Sequence, residues 1–242
     1  MAIYITGDTH GELDIHKLSQ ASFPEGRNLT KDDYVIICGD FGLVWGATNE
    51  KTSLFWQKWL KEKPWTTLFV DGNHEDFDLL NSYPVTEWHG GRVHQINDSI
   101  IHLMRGEIYN IDGYKLFAFG GAFSHDRYWR KEGESWWQAE LPNHDEVSNA
   151  LNNLEKNNNE VDIIITHDSP KEIVKMLGYN GGNVASYDAQ YEDINVFLQY
   201  VKENITYKEW FMGHYHIEKD IGNHHFLYDR IVPLSEYIND KV

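Results

Sequence analysis

Short apolar runs rich in Ile, Val and Phe punctuate the chain at Ala2 to Thr6, Tyr34 to Cys38, Thr67 to Val70, Asp162 to Thr166 and Glu209 to Met212. Separated by amphipathic segments, such runs read as buried strands of a sheet covered by helices. The segment Pro142-Asn143-His144-Asp145-Glu146 sets a capping Asn three residues before a Glu, and Val147, Ala150, Leu151 and Leu154 then recur at helical spacing. Ile194, Phe197, Leu198 and Val201 make a second stripe, before the last run. Phe55, Trp56, Trp59 and Leu60 make a third, before the run at Thr67. Strand, helix and strand in this alternation predict an α/β fold with parallel pairing and right-handed crossovers. Between residues 92 and 123 the runs become Arg92 to Ile96, Ser99 to Met104, Glu107 to Ile111 and Tyr114 to Phe119, with turn residues at Asn97-Asp98 and Asp112-Gly113. That pattern predicts an antiparallel meander, and a further hairpin is expected near Gly222-Asn223.

Each of the five runs gives way to a polar block, and the blocks are chemically consistent with one another. In order they are Gly7-Asp8-Thr9-His10, Gly39-Asp40, Gly72-Asn73-His74-Glu75, Thr166-His167 and Gly213-His214-Tyr215-His216. In open α/β sheets ligands bind at the carboxyl edge of the strands, so residues remote in sequence can converge there. Imidazole, carboxylate and amide without thiolate suit divalent Mn, Fe, Zn, Co or Ni and argue against a structural zinc site. Seven ligands are too many for one tetrahedral ion and suit two. Asp8, His10 and His216 could hold one ion and Asn73, His167 and His214 the other, with Asp40 between them. Such a pair activates a water and clamps an in-line phosphoryl displacement.

These five blocks, in this order, resemble those of the calcineurin-like metallophosphoesterases: Gly-Asp-x-His, Gly-Asp-x-x-Asp, Gly-Asn-His-Asp/Glu, a lone His, and Gly-His-x-His. The resemblance spans residues 7 to 216. It implies a four-layer αββα sandwich, two facing mixed β-sheets flanked by helices, with a dinuclear metal site at the carboxyl ends of the strands. It also implies hydrolysis of a phosphoester by attack of a metal-bridging hydroxide, with manganese first among the candidate metals. His74, outside the ligand set, is by resemblance the catalytic residue that protonates the leaving oxygen or steadies the phosphoryl group. One block departs from the pattern: Leu43 stands where the family often has a second Asp that orients the catalytic His. Glu75, Asp76 and Asp168 are the candidates to replace it.

Length and composition fit one metallophosphoesterase domain over residues 1 to 242, with 41% hydrophobic and 14% aromatic residues and no Pro/Gly/Ser-rich linker. The amino terminus reaches Gly7-Asp8 at once, leaving no room for a signal peptide, and no segment approaches a membrane span. A cytoplasmic, soluble protein is expected, with no membrane partner. Cys38, the single cysteine, reads as core filler. A net charge of −17 disfavours binding along a nucleic-acid backbone. It does not exclude a small phosphoester, because two divalent ions, a hydroxide, Asp8 and Asp40 sum to about +1 in the cavity itself.

Blander readings weigh on the remaining residues. His16, His89, His94, His102, His144, His224 and His225 read as surface or hydrogen-bonded core, and Asp71 and Asp220 as solvated turn residues. Asn73 could merely cap a helix starting near Glu75. In the loop Gly120 to Arg127, a substrate contact by His125, Asp126 or Arg127 and an ordinary surface loop carry equal weight. Tyr128, Trp129, Trp136 and Trp137 read as packing rather than as a stacking platform. Substrate-binding residues stay unassigned, since Arg92, Arg105, Arg127 and Arg130 cannot be placed from spacing. Small-molecule or nucleotide hydrolysis is preferred. The alternatives are a Ser/Thr-type protein phosphatase, whose characteristic Arg after the second Asp is missing, and a non-catalytic interaction protein, which retention of all seven ligands and His74 disfavours.

Overall fold

The computed structural model describes residues 1–46, 49–178 and 194–238. In chain order the strands and helices are β1 (Ile3–Thr6), β2 (Tyr34–Cys38), α1 (Glu50–Lys61), β3 (Thr66–Val70), α2 (Phe77–Leu80), β4 (Val85–Trp88), β5 (Gly91–Asn97), β6 (Ile100–Leu103), β7 (Glu107–Ile111), β8 (Tyr114–Phe119), α3 (His144–Lys156), β9 (Ile163–Thr166), α4 (Lys171–Met176), α5 (Ile194–Asn204), β10 (Glu209–Met212), β11 (Lys219–Ile221), β12 (His224–Phe226) and β13 (Ile231–Pro233). They form a seven-stranded sheet of order β13-β1-β2-β3-β6-β5-β4 and a six-stranded sheet of order β11-β12-β10-β9-β8-β7. Both sheets are mixed. β1, β2, β3 and β6 run parallel in the first, and β8, β9, β10 and β12 in the second, with antiparallel strands at the edges.

The burial pattern shows why the chain stacks in four layers. Along β2 and β3, Tyr34, Ile36, Cys38, Leu68 and Val70 turn inward to meet Leu116, Ala118, Ile163, Ile165 and Phe211 of the other sheet. The alternate residues Val35, Ile37 and Phe69 turn outward onto Leu60, Phe77 and Leu80. Phe117, Ile164 and Trp210 do the same on the far side, beneath Ala150, Leu154, Phe197 and Leu198. A strand buried on both faces has no polar phase, which is why the runs are continuously apolar. Among the described residues no helix is long and apolar enough to cross a membrane.

Two sequence expectations need correction. The four runs between residues 92 and 123 are not one meander: β5 and β6 pair in the first sheet, whereas β7 and β8 pair in the second. The chain passes between layers at Met104 to Gly106, where Met104 N–H donates to the Tyr109 hydroxyl at 2.9 Å. In α1 the inward face is Ser53, Gln57 and Leu60, while Phe55 is 61% exposed. Gln57 gains its place by donating to Leu43 O at 2.7 Å, a polar anchor that an apolar stripe does not reveal.

Candidate metal centre

β1, β2 and β3 of one sheet and β9 and β10 of the other end at the same edge, and each strand delivers one block there. Asp8, His10, Asp40 and His216 offer ligand atoms that all lie within 4.8 Å of one another. His10 Nε2 is 3.3 Å from Asp40 Oδ2, and His216 Nε2 is 3.1 Å from Asp8 Oδ2. On the other side of Asp40, His167 Nε2 lies 3.3 Å from both Asp40 Oδ1 and Asn73 Oδ1. The His214 ring packs edge-on against His167, with centroids 4.9 Å apart. Asp40 thus stands between two groups, with His10, Asp8 and His216 on one side and His167 and Asn73 on the other.

Each block is locked by its neighbours. The backbone N–H of His214 donates to Asp8 Oδ1 at 3.0 Å, and that of His74 to Asp40 Oδ1 at 2.8 Å, so each carboxylate is aimed by another block. Among the described non-glycine residues only eight have positive φ, and four of these are His10, Asp40, His214 and His216. Backbone held in that sparsely populated region collects at functional sites. Asn73 gives its amide N–H to Ser124 Oγ at 3.1 Å, and Ser124 Oγ in turn donates to Glu140 Oε2 at 2.6 Å, which leaves Asn73 Oδ1 turned to His167. Lys17 Nζ donates to the carbonyls of Gly7, Asp8 and Tyr228, tying the loop after β1 to the chain before β13.

The donor set fits divalent cations. His167 Nδ1 is 2.8 Å from Cys38 O, a carbonyl that only an N–H can satisfy, and His10 Nδ1 is 2.9 Å from Asp14 Oδ2. A metal-bound imidazole is held in this way, its far nitrogen donating to a carbonyl or carboxylate. Both Nε2 atoms then face Asp40 oxygens, an arrangement that calls for a proton or a cation between them. Burial disfavours a charged His167, yet Asp40 and Asp8 overcome it and push its pKa up to about 10. Burial likewise opposes charge on Asp40, but His167 and His10 hold its carboxyl well below the usual range. A field that binds a proton so firmly is one that attracts cations.

His74 lies beside this cluster, its ring centroid 5.6 Å from that of His10, and burial lowers its pKa. None of the carboxylates expected to orient it does so. Glu75 accepts from the backbone of Phe41 and Gly42 at 2.7 and 3.2 Å, Asp76 caps α2 through Leu79 N–H, and Asp168 accepts from the Tyr215 hydroxyl at 2.6 Å. Leu43 is buried in the core outside the first sheet. The ring is instead covered by the guanidinium of Arg130. No spacing rule could have found Arg130, which lies eleven residues past the end of β8, or Ser124 and Glu140. Asp71, expected in a solvated turn, is 1% exposed and bound by Arg105 and His102. Of the four aromatics, Trp137 is buried with its N–H on Asp78, but Trp129 is 92% and Tyr128 70% exposed.

The family model described as calcineurin-like phosphoesterase matches residues 1–218. Among curated proteins, the chain is 24% identical over 242 residues to the lariat debranching enzyme of Gallus gallus, a match covering 90% of this chain and 43% of that protein. It is 26% identical over 252 residues to lariat debranching enzyme A of Xenopus laevis, again covering 90% and 43%. With the lariat debranching enzyme of Homo sapiens it is 25% identical over 244 residues, covering 90% and 42%. The chain therefore spans less than half the length of the curated relatives it matches.

Proposed function

Because this chain belongs to the calcineurin-like phosphoesterase family, we propose that it is a metal-dependent hydrolase of phosphoester bonds, acting on a small-molecule or nucleotide ester. The observation that carries this reading is the convergence of Asp8, His10, Asp40 and His216 on one point, with Asn73 and His167 across Asp40. Asp8, His10 and His216 would hold one ion, and Asn73, His167 and His214 a second, with Asp40 shared. Two such ions, manganese first, would activate a water and neutralise charge developing on the phosphoryl oxygens. Asp14 and the Cys38 carbonyl keep His10 and His167 turned with Nε2 inward. His74 is fixed at the cluster's rim by its backbone bond to Asp40, where its ring can reach the phosphoryl group or the leaving oxygen.

The relatives' name bears on the bond cut. A branch point joins one unit to a further neighbour, so a phosphoester hydrolase that debranches must cut a diester, and this favours a diester here as well. The net charge of −17 speaks for a small ester over a long nucleic-acid backbone. The same reading makes residues 1 to 242 one domain, since the core between the sheets draws on both Ile3 and Ile238. We also propose a cytoplasmic location, which the single buried thiol supports.

The test is hydrolysis of aryl phosphomonoesters, aryl phosphodiesters and a branched oligonucleotide by chelator-stripped protein, with Mn, Ni, Co, Zn or Mg added back. Turnover should return with metal, fall at least about 100-fold in Asp40→Asn and fall less in His74→Asn. Failure to bind two ions per chain would refute the site, and turnover undiminished in Asp40→Asn would refute its role.

A further inference from the structure

Asn73 can serve as an ion ligand only through its oxygen, yet the two ends of a side-chain amide have the same shape, and the hydrogen-bond network has to choose between them. At Asn73 that choice is made by residues outside the strand-end blocks. Asn73 Nδ2 donates to Ser124 Oγ at 3.1 Å, and Ser124 Oγ donates to Glu140 Oε2 at 2.6 Å. The other carboxylate oxygen, Glu140 Oε1, accepts from Ser124 N–H at 2.9 Å. A hydroxyl carries one proton. Spent on the carboxylate, it leaves Ser124 Oγ with lone pairs alone to offer Asn73. The amide must then turn its N–H to Ser124 and its oxygen inward, where Oδ1 lies 3.3 Å from His167 Nε2.

The relay is buried and clamped at both ends. Glu140, Ser124 and Asn73 are all buried. Burial pushes the Glu140 carboxyl up, against the pull of the Ser124 hydroxyl and N–H. A carboxylate is costly to bury, and this one is held by donors aimed at both of its oxygens. Arg105 Nη2 donates to Glu140 O at 3.1 Å and to Ala139 O at 3.0 Å, while the same guanidinium binds Asp71 on the chain leading to Asn73. Gly121 N–H donates to Asp71 O at 2.8 Å, and a Cβ at Gly121 would lie 2.6 Å from Glu140 O. The segments bearing Asn73, Ser124 and Glu140 are thereby fixed against one another, and the polarity of the carboxylate passes through one hydroxyl to the amide. We propose that Glu140, acting through Ser124, decides which end of the Asn73 amide faces the ion that Asn73, His167 and His214 would hold, and so sets the affinity for that second ion. Glu140 and Ser124 are positioning residues, and the proposal rests on the two-ion reading above.

The experiment titrates the chelator-stripped protein with cobalt, following the visible spectrum and the ions bound per chain, in wild type, Glu140→Gln, Ser124→Ala and the double variant Asn73→Asp with Glu140→Gln. Gln keeps the shape of Glu but reverses the relay: its oxygen must face Ser124 N–H, so its NH2 faces Ser124 Oγ, and the hydroxyl proton is released toward Asn73. The amide oxygen then does better turned to Ser124 than to the ion. Glu140→Gln should therefore keep one ion and weaken the second about 10- to 100-fold, the usual cost of losing a group that orients a ligand, with Tm near that of wild type. Ser124→Ala, which frees the amide to rotate, should weaken the second ion by a smaller factor. The double variant should recover it, because Asp offers an oxygen at both ends and can accept the released hydroxyl proton. Second-ion affinity within twofold of wild type in Glu140→Gln overturns the proposal, as does a double variant no better than Glu140→Gln alone. Loss of both ions together with a lowered Tm in Glu140→Gln and Ser124→Ala assigns the pair to packing and overturns it too. A wild type that holds fewer than two ions brings down the metal centre and this inference with it. Two ions in wild type and one in Glu140→Gln, restored in the double variant but without turnover of any ester, would leave this inference standing while the hydrolase reading fell.

Discussion

A Cβ added at Gly72 would lie 2.0 Å from Asp40 Oδ1, and one at Gly213 would lie 2.0 Å from Asp8 Oδ1 and 2.6 Å from Cys38 O. These glycines are needed for close approach, because the carboxylate of one block occupies the space where another block would carry a side chain. Gly72→Ala must move either the backbone or Asp40. We expect it to cost about 1–3 kcal/mol, the usual range for overpacking a tight site, and to reduce the divalent metal bound per chain. Urea unfolding and metal analysis check both, and full metal content in a stable Gly72→Ala protein would contradict the close approach. The positive φ at Asp40 and His214 belongs to the same crowding: each chain turns sharply out of its strand so that a side chain and a backbone N–H can face the neighbouring block.

The α3 helix shows how an element can be specified locally. Asn143 Oδ1 accepts from the N–H groups of Asp145 and Glu146 at 2.9 and 3.0 Å, and Glu146 Oε2 accepts from Asn143 N–H at 2.8 Å. Glu146 also meets Arg105 at 3.2 Å, tying the helix start to the chain between β6 and β7. Asn143→Ala should lower stability by about 1 kcal/mol and leave metal affinity unaltered, since α3 lies outside the second sheet. A loss of metal affinity in that variant would show that the helix start supports the site.

For the molecule as a whole, acid is the expected weakness. Burial lowers the pKa of His94 and of His224 from 6.5 to about 4. His94 is 3.0 Å from His102, and His224 Nε2 faces the Tyr207 hydroxyl at 3.1 Å. Both stay neutral in the fold while the unfolded chain takes up protons below pH 6.5. The unfolded state therefore binds more protons between pH 6.5 and about 4. Stability present above that window is lost as pH falls through it, on the order of 2 kcal/mol for each residue. Chemical denaturation at pH 7, 6, 5 and 4 measures the decline, and His224→Gln, which keeps an acceptor for Tyr207, should flatten it. An equal slope in that variant would remove His224 from the account.

The parts legible in the chain were those encoded over a few neighbouring residues. Apolar runs marked β2 and β10 to the residue, Asn143 and Glu146 marked the start of α3, and the polar blocks after the strands named the groups that gather at one edge. Where the outcome depended on segments far apart, local pattern was silent or misleading. Whether β7 continues the sheet of β6 or joins the other is settled by which layer has room for its apolar face. Phe55, expected on the inward stripe, faces solvent, and Gln57 is buried instead, where it donates to Leu43 O. Asp71 is buried because Arg105, 34 residues away, comes to meet it, and His74 is covered by Arg130, 56 residues away. Hydrophobic periodicity and turn chemistry act along the chain and can be read there; the pairing of a charge or a ring with its partner is a contact in space, and it exists only once the two sheets have closed on each other.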